Sequence, residues 1–233
     1  MLALFTVMTF NAQFDSAADD ASLALLAREA PDVVCVQELT PRLARRIEHE
    51  LASTYPHRAL FPKDGTWGIG LLSKHPIARA TTFAQAPHRM PALEADVEGV
   101  RLACVHLFPP GAARFPGDDL GTTMRKNAAL RVQQAHALAE RYRAWPGPLV
   151  VMGDMNEGED DDAVRVLVDA GFALACKGER ARCGGTWPGA TSPLPAVFAI
   201  DHVLGKRVTF TDARVIKAGG SDHYPVAARV SAR

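Results

Sequence analysis

At 233 residues the chain has the length of one large domain, and its 48% hydrophobic content is ample for a core. Lys plus Arg and Asp plus Glu are equal at 26 each, so no global field draws the protein to nucleic acid, although this balance leaves room for a local basic patch. The four cysteines, Cys35, Cys104, Cys176 and Cys183, lack C-x-x-C spacing, which argues against a zinc site. Cys35 and Cys104 lie in apolar strand-like runs as small core residues, and Cys176 and Cys183 could close a small loop in an oxidising compartment. Free thiols are the expectation for a chain read without an export signal.

In chain order, "MLALFTVMTFNAQF" opens with a strand from Ala3 to Phe10. It has no positive segment ahead of its apolar run and turns polar at Asn11, so it reads as a core strand rather than a signal peptide. No run reaches the roughly 18 apolar residues needed to span a bilayer, so a soluble, cytoplasmic protein without stable membrane insertion is expected. A short helix follows at about Ala21 to Ala30, then a strand from Val33 to Gln37. Thr40 and Pro41 form a cap and first turn for a helix carrying Leu43, Ile47 and Leu51 at every fourth position. Strand-like runs cover Gly68 to Ser73, Ala92 to Val97 and Val100 to Leu107, the last two hairpin-like, before a long helix from about Thr123 to Arg143. A strand from Leu149 to Met152, a helix from about Asp161 to Ala170, and strands at Val197 to Leu204, Val208 to Ile216 and Val226 to Val230 complete the pattern. No repeat, low-complexity block or linker divides it, so one domain spanning 1–233 is expected, in the α/β (α+β) class with helices covering partly antiparallel sheets.

Six of these strands adjoin polar residues of a similar kind. Asn11, Glu38 and His106 end the first, second and fifth runs; Asp154 and Asn156 follow "LVVM"; Asp201 sits in "FAIDHVL"; Asp222 and His223 precede the last strand. Each has a bland account: an Asn after a strand is commonly a turn residue, and a solitary His is more often a satisfied core residue than a catalyst. Asp201 is harder to dismiss, because a carboxylate among Phe198, Ile200, Val203 and Leu204 needs a partner to offset its desolvation. In an extended chain, positions i and i+2 share a side, so Asp154 and Asn156 are expected to project together. The set suits metal-assisted phosphoryl hydrolysis. Glu38 and Asp222, with Asn11 as a nearby oxygen donor, can hold Mg²⁺; Asp154 and Asn156 can position a water; His106 or His223 can neutralise phosphoryl oxygens.

With those residues in view, the chain resembles the endonuclease/exonuclease/phosphatase superfamily. The resemblance runs in the family's order through "MTFNAQ", "PDVVCVQEL", "GIGLLSKHPI", "LACVHL", "VVMGDMNEG", "GTWP", "IDHVL" and "SDHYPV". It implies a four-layer sandwich, two mixed β-sheets face to face with helices on both outer sides and the site at one end of the sheets. It further implies that Asn11, Glu38 and Asp222 serve the metal, Mg²⁺ with Mn²⁺ as substitute, directly or through water. By the same resemblance Asp154 and Asn156 hold water and phosphate, Asp201 pairs with His223, and His106 binds phosphate or assists the leaving group. One departure stands out: where much of the family starts a strand with an active-site Glu or Asn, this chain has Gly68, Ile69 and Gly70, so the partner of His106 or one phosphate contact is missing or supplied elsewhere.

Substrate choice falls to loops, chiefly 109–126 and 181–196. Phe108, Arg114, Phe115, Arg125 and Lys126 could serve a nucleotide, although packing and solvation are the better account of any one of them; Trp67 and Trp187 could flank the cleft, Trp187 as a substrate contact, and burial in the core explains either Trp equally well. A Mg²⁺-dependent phosphodiesterase with nucleic acid as leading substrate is the first reading. A phosphomonoesterase or headgroup hydrolase for a small molecule or lipid is the second, favoured by the zero net charge, and a non-catalytic binding module the third. A monomer is expected.

Overall fold

The computed structural model describes residues 4–85, 87, 90–111 and 116–232. Its elements run β1 (Leu4–Asn11), α1 (Asp19–Glu29), β2 (Val33–Gln37), α2 (Pro41–Glu50), β3 (His57–Phe61), β4 (Ile69–Ser73), β5 (Ala78–Gln85), β6 (Met90–Val97) and β7 (Val100–His106). Then follow α3 (Leu120–Arg141), β8 (Leu149–Asp154), α4 (Asp162–Asp169), β9 (Ala173–Leu174), β10 (Asp201–Lys206), β11 (Val208–Val215) and β12 (Val226–Ala232). They form two six-stranded sheets, β11-β12-β1-β2-β4-β3 and β5-β6-β7-β8-β10-β9. Each sheet holds one parallel pair, β1 with β2 and β7 with β8; the other named pairs are antiparallel.

Strand composition explains the layering. In β2, "VVCVQ", every residue is buried: Val33 and Cys35 face the opposite sheet while Val34 and Val36 pack with Leu26 of α1 and Leu43 and Ile47 of α2. In β8, Val150 and Met152 turn inward, and Leu149 and Val151 meet Leu138 of α3 and Val164 and Leu167 of α4. Two sheets thus share an apolar interface and each is covered outside by helices, the expected four-layer sandwich.

Differences from the sequence reading have local causes. Helix α3 starts at Leu120 because Asp119 caps it, accepting the Thr122 N–H at 2.6 Å. Thr40 caps α2 as expected, accepting the Leu43 N–H at 3.2 Å, with Pro41 in the first turn. β3 and β5 were not foreseen; they lie at sheet edges, and β5 is mostly exposed, so neither carries a sharp apolar alternation. β9 is only two residues long. The strand expected from Val197 begins instead at Asp201, since Val197 and Phe198 return backbone hydrogen bonds to Trp187. Free thiols are also corrected: disulfides join Cys35 to Cys104, from β2 to β7 across the sheet interface, and Cys176 to Cys183, with Cα atoms 5.5 and 5.7 Å apart. Among the described residues no helix is long and apolar enough to cross a membrane.

Asp32 ties the start of β2 to β1. Its Oδ2 accepts the Thr6 N–H at 2.7 Å and the Thr6 hydroxyl at 2.8 Å, and Lys74 Nζ stands 3.6 Å from Oδ1. Burial alone would raise its pKa, but the Thr6 bonds and the nearby Lys74 outweigh it and hold the carboxyl below its ordinary value. Asp32→Ala should therefore cost about 1–2 kcal/mol near neutral pH, the worth of hydrogen bonds to a charged group less solvent screening. A lowered folded-state pKa gives stability that is complete above the unfolded value, about 4, and is lost as pH falls through the folded value. Urea unfolding should accordingly show a gap between the two proteins at pH 7 that closes in acid.

Candidate active site

The parallel pairs bring the polar residues to one end of the sandwich. In the second sheet Asp154, at the end of β8, stands in register with His106 at the end of β7 and with Asp201 at the start of antiparallel β10. Gly153 permits this approach, since a Cβ there would lie 1.9 Å from the Val105 carbonyl oxygen. In the first sheet Asn11 ends β1 opposite Gln37, and Glu38 follows directly with a left-handed φ of 56°.

Asn11 joins the sheets. Its Nδ2 donates to Glu38 Oε1 at 3.1 Å and to Asp154 Oδ2 at 3.0 Å, while its Oδ1 accepts the Gln13 N–H at 3.0 Å. The amide thus spaces two carboxylates, and its oxygen, foreseen as a donor to metal, is turned to the backbone. Glu38 Oε2 accepts the Phe14 N–H at 2.9 Å. Asp222 is placed by its N–H, which donates to Gln13 Oε1 at 2.8 Å, and its carboxylate accepts Trp187 Nε1–H at 3.3 Å. Burial, with the negative charges of Glu38 and Asp154, raises its pKa against the opposing influence of His223 and Trp187.

His223 Nδ1 lies 2.8 Å from Asp201 Oδ2, and its Nε2 lies 3.7 Å from Asp154 Oδ2. Burial would push this imidazole down; Asp201 first and Asp154 next overcome that and carry its pKa up to about 10. Asp201 is the first residue of β10 rather than an interior one, and its carboxylate is buried with His223 as partner, as its desolvation demanded. Ser221 secures the turn, donating to the Asn11 carbonyl at 2.7 Å and accepting the His223 N–H at 3.0 Å.

The geometry of Asp154 and Asn156 departs from the extended-chain expectation. Asn156 has a left-handed φ of 52°, its N–H returns to Asp154 Oδ1 at 2.8 Å, and its Nδ2 donates to the Leu107 carbonyl at 3.1 Å. A turn, not strand alternation, holds the pair together. His106 is fully enclosed; its Nε2 is 3.5 Å from Asp154 Oδ2, yet neither ring nitrogen makes a hydrogen bond to a described protein group. The Gly68 departure has a steric cause: a Cβ there would fall 1.8 Å from the Leu39 carbonyl oxygen, so no polar side chain can stand at that position.

A cleft of about 750 Å³ is lined by Glu38, His106, Asp154, Asn156, Asp222, His223 and Trp187, with the buried Asn11 and Asp201 behind them. Trp67 and Phe108 are not among its lining residues, and Arg114 and Phe115 lie outside the described residues. Three supports were not foreseen as site residues. Gln13 holds Asp222, and Arg131, seemingly another helix charge, is buried, donating to Glu157 at 2.9 Å and to the Phe108 carbonyl at 3.1 Å. Only the spacing of Gln13 from Asn11 in "NAQ" hinted at the first, and nothing distinguished Arg131 and Glu157 before folding.

Two groups of ligand atoms could attract a cation. Atoms of Asp154, Asp201 and His223 lie within 4.8 Å of one another, but an imidazolium already bonded to Asp201 is a poor ligand, since metals take the neutral ring. Glu38 and Asp222 fit better: both line the cleft, and a divalent ion would offset the burial and the neighbouring negative charges that together raise Asp222.

No curated protein matches the chain. Among solved structures it is similar to a functionally unknown conserved protein from Enterococcus faecalis V583, at 16% identity over 98% of this chain and 100% of the other, with a TM-score of 0.77. It is similar to the Neisseria 3′ phosphatase NExo bound to a product DNA hairpin, at 16% identity, 96% and 98% coverage and a TM-score of 0.70. It is also similar to TDP2 of D. rerio complexed with a single-strand DNA product, at 17% identity, 98% and 99% coverage and a TM-score of 0.71. Identities this low speak to the fold. The family model for the Endonuclease/Exonuclease/phosphatase family, however, matches residues 8–223, and the chain belongs to that family.

Proposed function

We propose that the chain, acting as one catalytic domain over 1–233, is a Mg²⁺-dependent phosphodiesterase in which Mn²⁺ can substitute. The observation that carries this reading is the buried Asp201–His223–Asp154–Asn11–Glu38 chain of contacts at the base of the cleft, with Asp222 beside it. Held by Glu38 and Asp222, a divalent ion would neutralise charge on the phosphoryl group. The chain's own residues do the rest. Asp154 and Asn156 face the cleft as a carboxylate and an amide able to orient a water, and His106 offers a ring to a phosphoryl oxygen. The His223 imidazolium, its Nδ1 engaged by Asp201, keeps Nε2–H free to stabilise the phosphoryl oxygens or to protonate the departing oxygen. All of these groups come from one chain, so the reaction needs no second copy.

Nucleic acid is the first substrate class to test, because solved relatives carry DNA products. A phosphomonoester or headgroup substrate on a small molecule or lipid is the second, and the apolar part of the cleft lining favours its headgroup form. The cytoplasmic setting expected from sequence is supported by no structural observation, and the two disulfides are of a kind that oxidising compartments preserve.

Turnover of a generic phosphodiester should vanish in excess chelator and return with Mg²⁺ or Mn²⁺; undiminished turnover in chelator would sink the proposal. Glu38→Gln should weaken Mg²⁺ binding in calorimetry while the unfolding transition stays cooperative; unchanged affinity would remove Glu38 from the metal site.

Asp201→Asn preserves shape but removes the charge that holds His223 as imidazolium, and it should lower kcat by about 10² to 10⁴. His223→Ala should cost a similar factor, and the double variant hardly more, because groups acting as a unit are non-additive. Single and double variants compared in steady-state kinetics check this; losses that multiply would show that Asp201 and His223 act separately.

A further inference from the structure

The cleft that holds the reactive groups is not lined as a channel for a polyanion. Among its described lining residues seven are carboxylates and Arg131 is the only Lys or Arg, already paired with Glu157. Of the carboxylates, Glu159 is matched by Lys177 at 2.6 Å, whose charge also acts on Asp160, while Asp161 accepts the Gly158 N–H at 2.8 Å; neither Asp160 nor Asp161 makes a close ion pair among the described residues. The depression beside Phe14 is lined by as many carboxylates as cations, Asp15 and Asp64 with Arg42 and Arg45, and Arg42 is already engaged by Asp19 at 3.1 Å. A nucleic-acid strand brings a negative charge with every residue and is held by cations along its path. Here the charges flanking the reaction site would repel it.

Part of the cleft lining is apolar. Val197 and Phe198, on the segment before β10, are 64% and 55% exposed, and Met124 of α3 is 48% exposed. All three line the cleft beside Pro109 and Pro110. The Phe198 ring lies 5.9 Å from that of Trp187, which itself bonds Asp222, so the apolar surface runs directly into the reactive cluster. Solitary exposed hydrophobics are ordinary, but several lining one cleft beside a polar site mark a surface completed by a ligand.

We infer that the substrate of this site is a phosphodiester bearing a single negative charge, whose apolar or aromatic substituent seats on Met124, Val197 and Phe198. The inference rests on the phosphoesterase reading and narrows it. One charged phosphate meets the metal and His223, an uncharged substituent covers the apolar part of the lining, and the carboxylates of the cleft exclude a polyanion.

The test uses two p-nitrophenyl phosphodiesters that share a leaving group, one methyl and one phenyl, beside single-stranded DNA, all with Mg²⁺ or Mn²⁺. The phenyl ester should show roughly tenfold higher kcat/KM, the worth of burying one ring on an exposed apolar surface. Phe198→Ser and Val197→Ser, at exposed positions that do not threaten folding, should each bring the phenyl-to-methyl ratio toward one. In calorimetry with the metal-loaded protein, diphenyl phosphate should bind more tightly than dimethyl phosphate, and the same variants should abolish the difference. Phosphatidylcholine vesicles distinguish the source of the apolar group: their cleavage points to a lipid, cleavage of the soluble ester alone to a small molecule, and either carries the proposal. Equal rates and equal affinities for the two small esters would overturn it, as would DNA cleavage that exceeds the phenyl ester and falls steeply with salt. Absence of all turnover with the diphenyl preference retained would instead sink the hydrolase reading and leave the subsite standing.

Discussion

The Asn11 side chain is the join on which the site depends. A single amide nitrogen reaches carboxylates of both sheets, Glu38 at 3.1 Å and Asp154 at 3.0 Å, so the relative placement of the sheets sets the distance between the two acids. The contact is buried, where an unmet donor would cost about 1–3 kcal/mol, so both partners must be present for the amide to be tolerated. The strands that carry this end of the molecule are pinned a few residues deeper, where Cys35 of β2 is bonded to Cys104 of β7. Glu38 and His106 follow those cysteines closely in sequence, and little slack separates the cross-link from the groups it aligns.

Given that frame, electrostatics decides the protonation of the cluster. Asp154, Asp201 and Asp222 act on one imidazole, and burying so many like charges is unfavourable unless protons or cations balance them. Both responses hold a proton: against its burial His223 is driven up by Asp201 and Asp154, and Asp222 is raised by its burial first and by the neighbouring carboxylates after it. The two histidines differ for the same reason. His223 lies against Asp201 at 2.8 Å, whereas His106 has only a 3.5 Å approach to Asp154 and no hydrogen bond, so the first is oriented by a charge and the second is held by packing.

Much of this was legible in the sequence because strand ends are marked by abrupt changes from apolar to polar residues. The β2 boundaries Val33 and Gln37, the Thr40 cap and the need of Asp201 for a partner follow from local chemistry that tertiary structure did not overrule, whereas the four layers and the choice of His223 came from the family resemblance. Edge strands escaped notice because a strand with little buried surface has no apolar period to read, as in "ARATTFAQ". The disulfide across the sheets was hidden for another reason: two apolar runs predict burial of Cys35 and Cys104 but not that they face each other. Arg131 and Glu157 were equally silent, being 26 residues apart and meaningful only after α3 packs beside the end of β8.

Reactive and selective groups also lie on different kinds of structure. Asn11, His106, Asp154 and Asp201 are strand residues held by ladders on neighbouring strands, so their spacing is shared by any chain that builds the same two sheets. Val197 and Phe198 belong to a segment held by backbone bonds to Trp187, and Met124 belongs to the outer layer. Substitutions there change what the cleft touches without disturbing the ladders beneath, and loops on a rigid scaffold commonly carry specificity for this reason. Fold similarity at 16–17% identity therefore speaks to the strand-borne frame, while the charge and polarity of the cleft wall, written in this chain's own residues, bear on what it accepts.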